Sequence, residues 1–565
     1  MKTKFIFFIL FITVAFTACQ NGGSTGLLVP ADAALVVHIN FNSLSSKLTW
    51  KEIQQTAWYS ESQVEINDSL AKKLLADPAS SGINTNSNMV LFMKRSNPNG
   101  YVAIVGEMKD IEKFKSSLQQ VAKGSVRIEK DGNLDYASFE NNSQSVLYFN
   151  NKNFVFITDA SNTKKMAINS SLPDLSGNSS GYTLDSLRYF AKHTFNLKGK
   201  DLLDSDKRFA NLINNKADIH YWINTSSLYE GLLTGPMAMM KIGDVLQGNI
   251  SSGTANFEDS KITLNNQQFY GKQLAELFGK YKGKNVSNDL LNKLPAQNVL
   301  MAFAMNFNPD GIKEFLKVLG VDGMANAAMA QFGFSVDEFI KAQAGELAFA
   351  LTDFSIKKVP QSITLEDGET IHYEDEKPDM KFVFATSVND KNAYQKMVDV
   401  IEKQAAKGMS VMDSSGSKLQ YILQDKWFAL GSSKTEVNAF LTNNKKPDYS
   451  NIFDGHNGGG YIDLQKLIVA ASAGNKDSST QKAIQISADF WKDIQMIWDV
   501  KGGITDSKIE INLSETKTNS LKQLNKYIDR IYLSLPKNKY EEINIEADAN
   551  APMPEPPPPV EELKK

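Results

Sequence analysis

The 565-residue sequence holds a single cysteine, Cys19. No internal disulfide can form, and neither a cysteine-based zinc site nor a redox pair is available. Histidine is almost as scarce: His38, His193, His220, His372 and His456 are far apart in the chain. None has a second ligand at the helical or strand spacing of a zinc motif. His38 and His220 lie in strand-like segments and are read as residues on a strand surface. Charge of one sign is missing too. With a formal net charge of −3, the chain lacks the basic excess that draws proteins to nucleic acid, and no nucleic-acid partner is expected. There is no Gly-x-Ser-x-Gly elbow, no phosphate-cradling Gly-Lys-Ser/Thr loop and no dinucleotide fingerprint. The sequence therefore nominates no catalytic residue, no metal ligand and no cofactor. A site assembled from distant residues leaves no local motif, so an enzyme is disfavoured rather than excluded.

What is present begins at the first residues. Lys2 and Lys4 precede an apolar run from Phe5 to Phe16, followed by Thr17, Ala18 and Cys19. A spanning helix needs roughly 20 apolar residues, so residues 1–18 read as a signal peptide. The small residues before the cysteine resemble the lipobox of lipoprotein signal peptidase, although Phe16 stands where an aliphatic residue is usual. The resemblance implies cleavage before Cys19 and its lipidation. The membrane is then a partner, because two or more acyl chains anchor firmly where one binds reversibly. Residues 19–28 read as the lipidated cysteine and a flexible tether. At the other end, Ala551–Val560 holds six of the 17 prolines, which forbids helix and strand pairing, and 546–565 reads as a disordered Pro/Glu-rich tail.

Between these ends the sequence repeats itself. Pro30-Ala31 opens an apolar run ending at Asn40-Phe41-Asn42, and Pro295-Ala296 opens one ending at Asn306-Phe307-Asn308. Tyr101–Glu107 and Lys381–Ser387 are strand-like, and each leads into a helix with Asp110 or Asp390 as its expected N-cap. Lys152, Phe154 and Ile157 match Lys426, Phe428 and Leu430 or Gly431. Ile223-Asn224 matches Ile462-Asp463, and Asp259-Ser260-Lys261-Ile262 recurs as Asp506-Ser507-Lys508-Ile509. Five blocks in one order predict an α+β protein made of two tandem copies of a mixed, mainly antiparallel sheet-plus-helix unit, covering 29–290 and 291–545.

Val29-Pro30-Ala31-Asp32-Ala33, Ser81-Gly82-Ile83 and Gly345-Glu346-Leu347-Ala348 carry a resemblance across most of the mature chain. It is to an uncharacterised family of Bacteroidota cell-envelope lipoproteins, described only as a domain of unknown function. The resemblance implies an address and a fold but brings no activity. Surface-displayed lipoproteins of that group carry acids just after the cysteine, and residues 20–26 have none, so the implied location is the outer membrane facing the periplasm. Asp68-Ser69-Leu70 and Asp185-Ser186-Leu187 resemble the O-glycosylation acceptor pattern of the same bacteria, nominating Ser69 and Ser186.

Four further features admit two readings each. Acids and His372 between Glu366 and Glu376 could hold a metal, but Asp367-Gly368 between Ile363–Leu365 and Thr370–Tyr373 reads better as a β-hairpin. Gly455-His456-Asn457 with Gly458–Gly460 reads as a loop entering a strand rather than a ligand cradle. Trp50, Trp58 and Tyr59 read as core rather than a sugar-stacking platform. Met237, Met239 and Met240, with Leu467 and Ile468, are candidates to line an apolar ligand cleft, against ordinary helix packing. The functional expectation is a non-catalytic module that binds an unknown ligand or envelope protein. The alternative is a hydrolase of an envelope or dietary polymer with Asp and Glu as acid and base.

Overall fold

The computed structural model describes residues 26–65, 72, 76–96, 99–121, 126–139, 142–160, 181–229, 241–364, 370–406, 419–472 and 478–535. Cys19, Ser69, Met237, Met239, Met240 and the tail 546–565 lie outside the described residues. Among the described residues, apolar alternation broken by Gly, Asn and Asp turns yields 18 strands in one sheet. In the first half these are β1 (Leu35–Asn40), β2 (Asn88–Ser96), β3 (Asn99–Glu107), β4 (Val126–Asp131), β5 (Leu134–Phe139), β6 (Asn142–Phe149), β7 (Asn153–Asp159), β8 (Ile219–Asn224), β9 (Ile250–Glu258) and β10 (Lys261–Phe269). In the second they are β11 (Met301–Asn306), β12 (Gln343–Thr364), β13 (Thr370–Val388), β14 (Gln420–Leu423), β15 (Trp427–Gly431), β16 (Gly458–Asp463), β17 (Trp491–Lys501) and β18 (Ile504–Leu513). With helices on both faces and every pairing antiparallel, the fold is α+β.

The first half runs β4-β5-β6-β7-β3-β2-β1-β8-β9-β10 across the sheet. The second runs β14-β15-β13-β12-β11-β16-β17-β18. The two orders correspond strand for strand from β6 and β14 inward, and they meet where β10 pairs antiparallel with β18, Lys261 opposite Asn512. Matching registers go with the matching order. Asn224 N donates to Ala34 O and Asp463 N to Leu300 O, both at 2.9 Å, while Met108 N reaches Lys152 O at 2.7 Å and Val388 N reaches Lys426 O at 2.8 Å. Asp110 and Asp390 each cap their helix through Oδ1, 3.0 Å from the amide three residues on.

The fifth sequence block does not follow this pattern. Asp259 and Ser260 form the β9–β10 turn, with Ser260 at φ 64°, whereas Asp506 and Ser507 lie inside β18 after a Gly502-Gly503 turn. Four letters, three of them polar, carry too little packing constraint to fix a register.

Each half buries an apolar layer on one common face of the sheet. In the first, Val36, Phe92, Val155 and Trp222 lie beneath the helices Leu184–Phe195 and Lys207–Asn214. In the second, Ala302, Ala304, Ala348 and Ala385 let the helix Lys434–Thr442 and the 3₁₀ turn Asp448–Phe453 approach closely. The helix Asn288–Lys293, which a boundary at 290/291 would cut, buries Leu290 and Leu291 in this second core. On the opposite face the helices Ile111–Val121 and Lys391–Ala406 cover smaller clusters.

The halves also interlock there. Asp529 of the last helix, Ser520–Ser534, accepts from the Ala57 and Trp58 amides, and Lys522 pairs with Glu52 at 2.6 Å. Trp50 and Tyr59 are buried edge to face, 5.5 Å apart, as core residues, with Trp58 packed against them. The acidic stretch borders a hairpin as expected, Ile363 opposite Ile371 and Thr364 opposite Thr370. Its strands are 22 and 19 residues long, far beyond the short pair foreseen.

Candidate ligand-binding trough

Three features in and around the first half gather polar side chains that no local motif announces. The first is a histidine pair. β1 and β8 pair with His38 opposite His220, both almost fully buried, and their Nδ1 atoms stand 2.9 Å apart. The expectation that these are strand-surface residues is overturned. Helices cover both faces of this sheet, so the residues between the core positions are half-buried and the alternation cannot say which face holds the imidazole. His220 Nε2 lies 2.8 Å from the Asn215 carbonyl, which only accepts, so Nε2 carries the proton. Neutral His220 then accepts at Nδ1 from the His38 Nδ1–H, and the buried His38 Nε2 is left as an acceptor without a hydrogen bond of normal geometry among the described residues. Burial, then the neighbouring His220, push the His38 pKa down to about 4. Burial also lowers that of His220. Both rings are therefore neutral at pH 7. In the second half the corresponding pair is Ala304 opposite Gly459, where the missing Cβ makes room for the Phe453 ring.

The second feature is Asp218, fully buried at the start of β8. It accepts from Lys47 Nζ, Ser43 Oγ and the Phe257 amide, each at 2.6 Å. Ser43 is thus held by a carboxylate, and no hydrogen bond joins it to either histidine; the arrangement is not a relay that would activate a nucleophile.

The third feature is a trough of about 620 Å³ at the middle of the sheet, over β9, β10, β18 and β17. It lies where the helical cover of the two cores stops. One row across the sheet shows this: His38, His220 and Thr254 are buried, Asn265 and Lys508 are exposed, Ile497 is half-buried, and Gly459 and Ala304 are buried again. The floor includes Ser252, Thr254, Asn265, Gln267, Asp499, Asp506 and Lys508. The helix Lys207–Asn214 and Asn215 form one wall, with Arg208 held by Asp206 at 2.7 Å and its guanidinium over the Trp222 and Phe269 rings. Thr254 is 3% exposed and its hydroxyl has no partner among the described residues.

The sequence nominations fall elsewhere. Leu467 and Ile468 lie half-buried on the helix Leu464–Ala471 and do not line the trough. Ser186 sits in the first turn of the helix that Thr183 caps. His456 and Asn457 do form a loop: His456 Nδ1 meets Asp499 Oδ2 at 2.9 Å, and the Asn457 amide ties Gly283 and Lys284 to β17. Gly458, Gly459 and Gly460, read as part of that loop, instead run inside β16, where Cβ atoms would strike Trp498, Phe453 and Met496. Among the described residues no three His, Cys, Asp or Glu side chains are placed to hold a metal ion, and no helix is long and apolar enough to cross a membrane.

With this geometry in hand, comparison with known proteins gives one family. Its profile, a domain of unknown function (DUF4836), matches residues 26–450. The chain belongs to the DUF4836 family. The match takes in all of the first half, both histidines, Asp218 and the β9–β10 side of the trough; β17 and β18, which supply the other side, lie beyond it. No curated protein and no solved structure matches the chain.

Proposed function

We propose that this DUF4836 protein is a lipid-anchored, non-catalytic binding protein of the cell envelope whose ligand seats in the midline trough. The observation that carries the reading is the trough itself: a concavity of about 620 Å³, within the usual range of roughly 300–1,000 Å³ for small-molecule sites, floored by polar side chains, with the exposed amides of Asn211 and Asn265 free of hydrogen bonds to other described residues. The lipid anchor at Cys19, the Bacteroidota envelope and the periplasm-facing leaflet rest on the sequence. A Cys19→Ser chain is expected in the soluble fraction where the native protein is in the membrane fraction. Native mass spectrometry of that chain after incubation with envelope extract is expected to show a discrete added mass that Asn211→Ala/Asn265→Ala removes. An added mass indifferent to those changes would place the ligand elsewhere.

One observation favours the hydrolase alternative. Asp499 and Asp506 face each other across β17 and β18 on the trough floor. Such a pairing sets Cβ atoms about 5 Å apart and is similar to the paired carboxylates of a glycosidase. Each is already engaged, Asp499 by His456 and Asp506 by Gln267 Nε2 at 2.9 Å, which suits a structural role. Turnover of a bound polymer, abolished by Asp506→Asn, would reverse the order of the two readings.

A further inference from the structure

We infer that the ligand of the trough is a neutral, polyhydroxylated molecule, a short glycan in particular; this rests on the trough being the ligand site. The charges on its lining cancel: Arg208 and Lys508 against Asp499 and Asp506. Each is also met within the protein, Arg208 by Asp206, Lys508 by Glu510 at 2.7 Å, Asp499 by His456 and Asp506 by Gln267. A phosphate or carboxylate would find no unmatched cation here, while Asp506, met only by the neutral Gln267 amide, keeps acceptor capacity for a sugar hydroxyl.

What the trough leaves unengaged is amide and hydroxyl. The side chains of Asn211 and Asn265 are exposed and make no hydrogen bond to another described residue, and beneath them the Thr254 hydroxyl is buried without a partner among the described residues. Amides and hydroxyls each donate and accept. That is the requirement for recognising a ring of sugar hydroxyls, each of which also does both. Leu212, Phe269 and Ile497 add apolar surface between these groups, suited to the C–H faces of a pyranose. An acyl chain would leave these polar groups desolvated without partners, which is costly, so the trough is ill suited to lipid.

The join of the two halves also shapes the site. Asn265 and Lys508 face each other on β10 and β18, so one ligand would touch both halves at once. Either half alone offers only part of the floor.

The test uses the Cys19→Ser chain with neutral gluco-, manno- and N-acetylglucosamine trisaccharides, read by isothermal calorimetry and saturation-transfer NMR. Sugar phosphates and phospholipid vesicles serve as competing probes. The expected result is binding of a neutral trisaccharide, unchanged between 50 and 500 mM NaCl and weakened at least tenfold by Asn211→Ala/Asn265→Ala, with the melting temperature unmoved. Binding restricted to the anionic probes, salt-sensitive and lost in the double variant, would overturn the glycan assignment while leaving the trough as the ligand site. Glycan binding indifferent to the double variant would overturn the site itself. Failure of every neutral glycan to bind would overturn the inference, whatever the vesicles do.

Discussion

Replacing His38 by glutamine removes one of two buried titratable rings while keeping a donor for His220 Nδ1. In the folded protein the His38 pKa lies at about 4, against 6.5 for an unperturbed histidine. The unfolded chain therefore binds the proton first as pH falls. A depressed folded pKa of this kind leaves stability intact above pH 6.5 and erodes it as pH drops toward 4. Linkage gives a loss of roughly 1–2 kcal/mol at pH 5.5 and roughly 2–3 kcal/mol at pH 4.5 from this group, levelling between roughly 3 and 4 kcal/mol well below pH 4. His220 adds in the same direction, since burial lowers its pKa too. Urea unfolding of both proteins at pH 7.5, 5.5 and 4.5 isolates the His38 share, because every other group titrates in both. At pH 7.5 His38→Gln should be the less stable by about 1 kcal/mol, because the amide fills the ring's place and aims its hydrogen bond less well. By pH 4.5 the order should invert, the wild type having lost roughly 2–3 kcal/mol that the variant does not lose. Two unfolding curves that fall in parallel from pH 7.5 to 4.5 would refute the claim that His38 is held neutral by burial.

Packing and charge give three more expectations. Asp218→Asn leaves Lys47 without its carboxylate and should destabilise by about 3 kcal/mol, seen in thermal melts; a loss below about 1 kcal/mol would mean that water compensates Lys47. Gly459→Ala places a Cβ 2.3 Å from the Phe453 ring and 2.9 Å from the Met496 carbonyl, so a cost of about 2 kcal/mol is expected in urea titrations. Asn265→Ala alone, on an exposed floor position, should change stability by less than about 0.5 kcal/mol, so any fall in ligand binding reports on contact rather than folding.

The local periodicities of the chain are enough to predict the blocks ending at Asn40 and Asn306, the strands Tyr101–Glu107 and Lys381–Ser387, their caps, and the succession of these blocks along each half. Asp110 and Asp390 cap helices because a carboxylate before an amphipathic run meets free amides wherever that run folds. The blocks ending at Asn40 and Asn306, or centred on Phe154 and Phe428, keep their alignment because each lies in a strand whose alternate residues are packed. The polar block at Asp259 and Asp506 has no such anchor and falls on unlike positions. The glycines at 458–460 read as a loop by composition, yet the bulk of Trp498 and Phe453 makes them a strand.

What the tertiary structure alone decided was which polar residues meet. His38 and His220 are 182 residues apart, and only the antiparallel pairing of β1 with β8 sets one imidazole on the other. The trough has the same origin. Asn265 and Lys508 become neighbours because β10 and β18 present free edges that pair with each other, and a chain's spacing carries no record of which edges join. The proposed address at Cys19 is the converse case. A signal peptidase reads contiguous residues before any fold exists, so the sequence by itself is sufficient to nominate that cysteine.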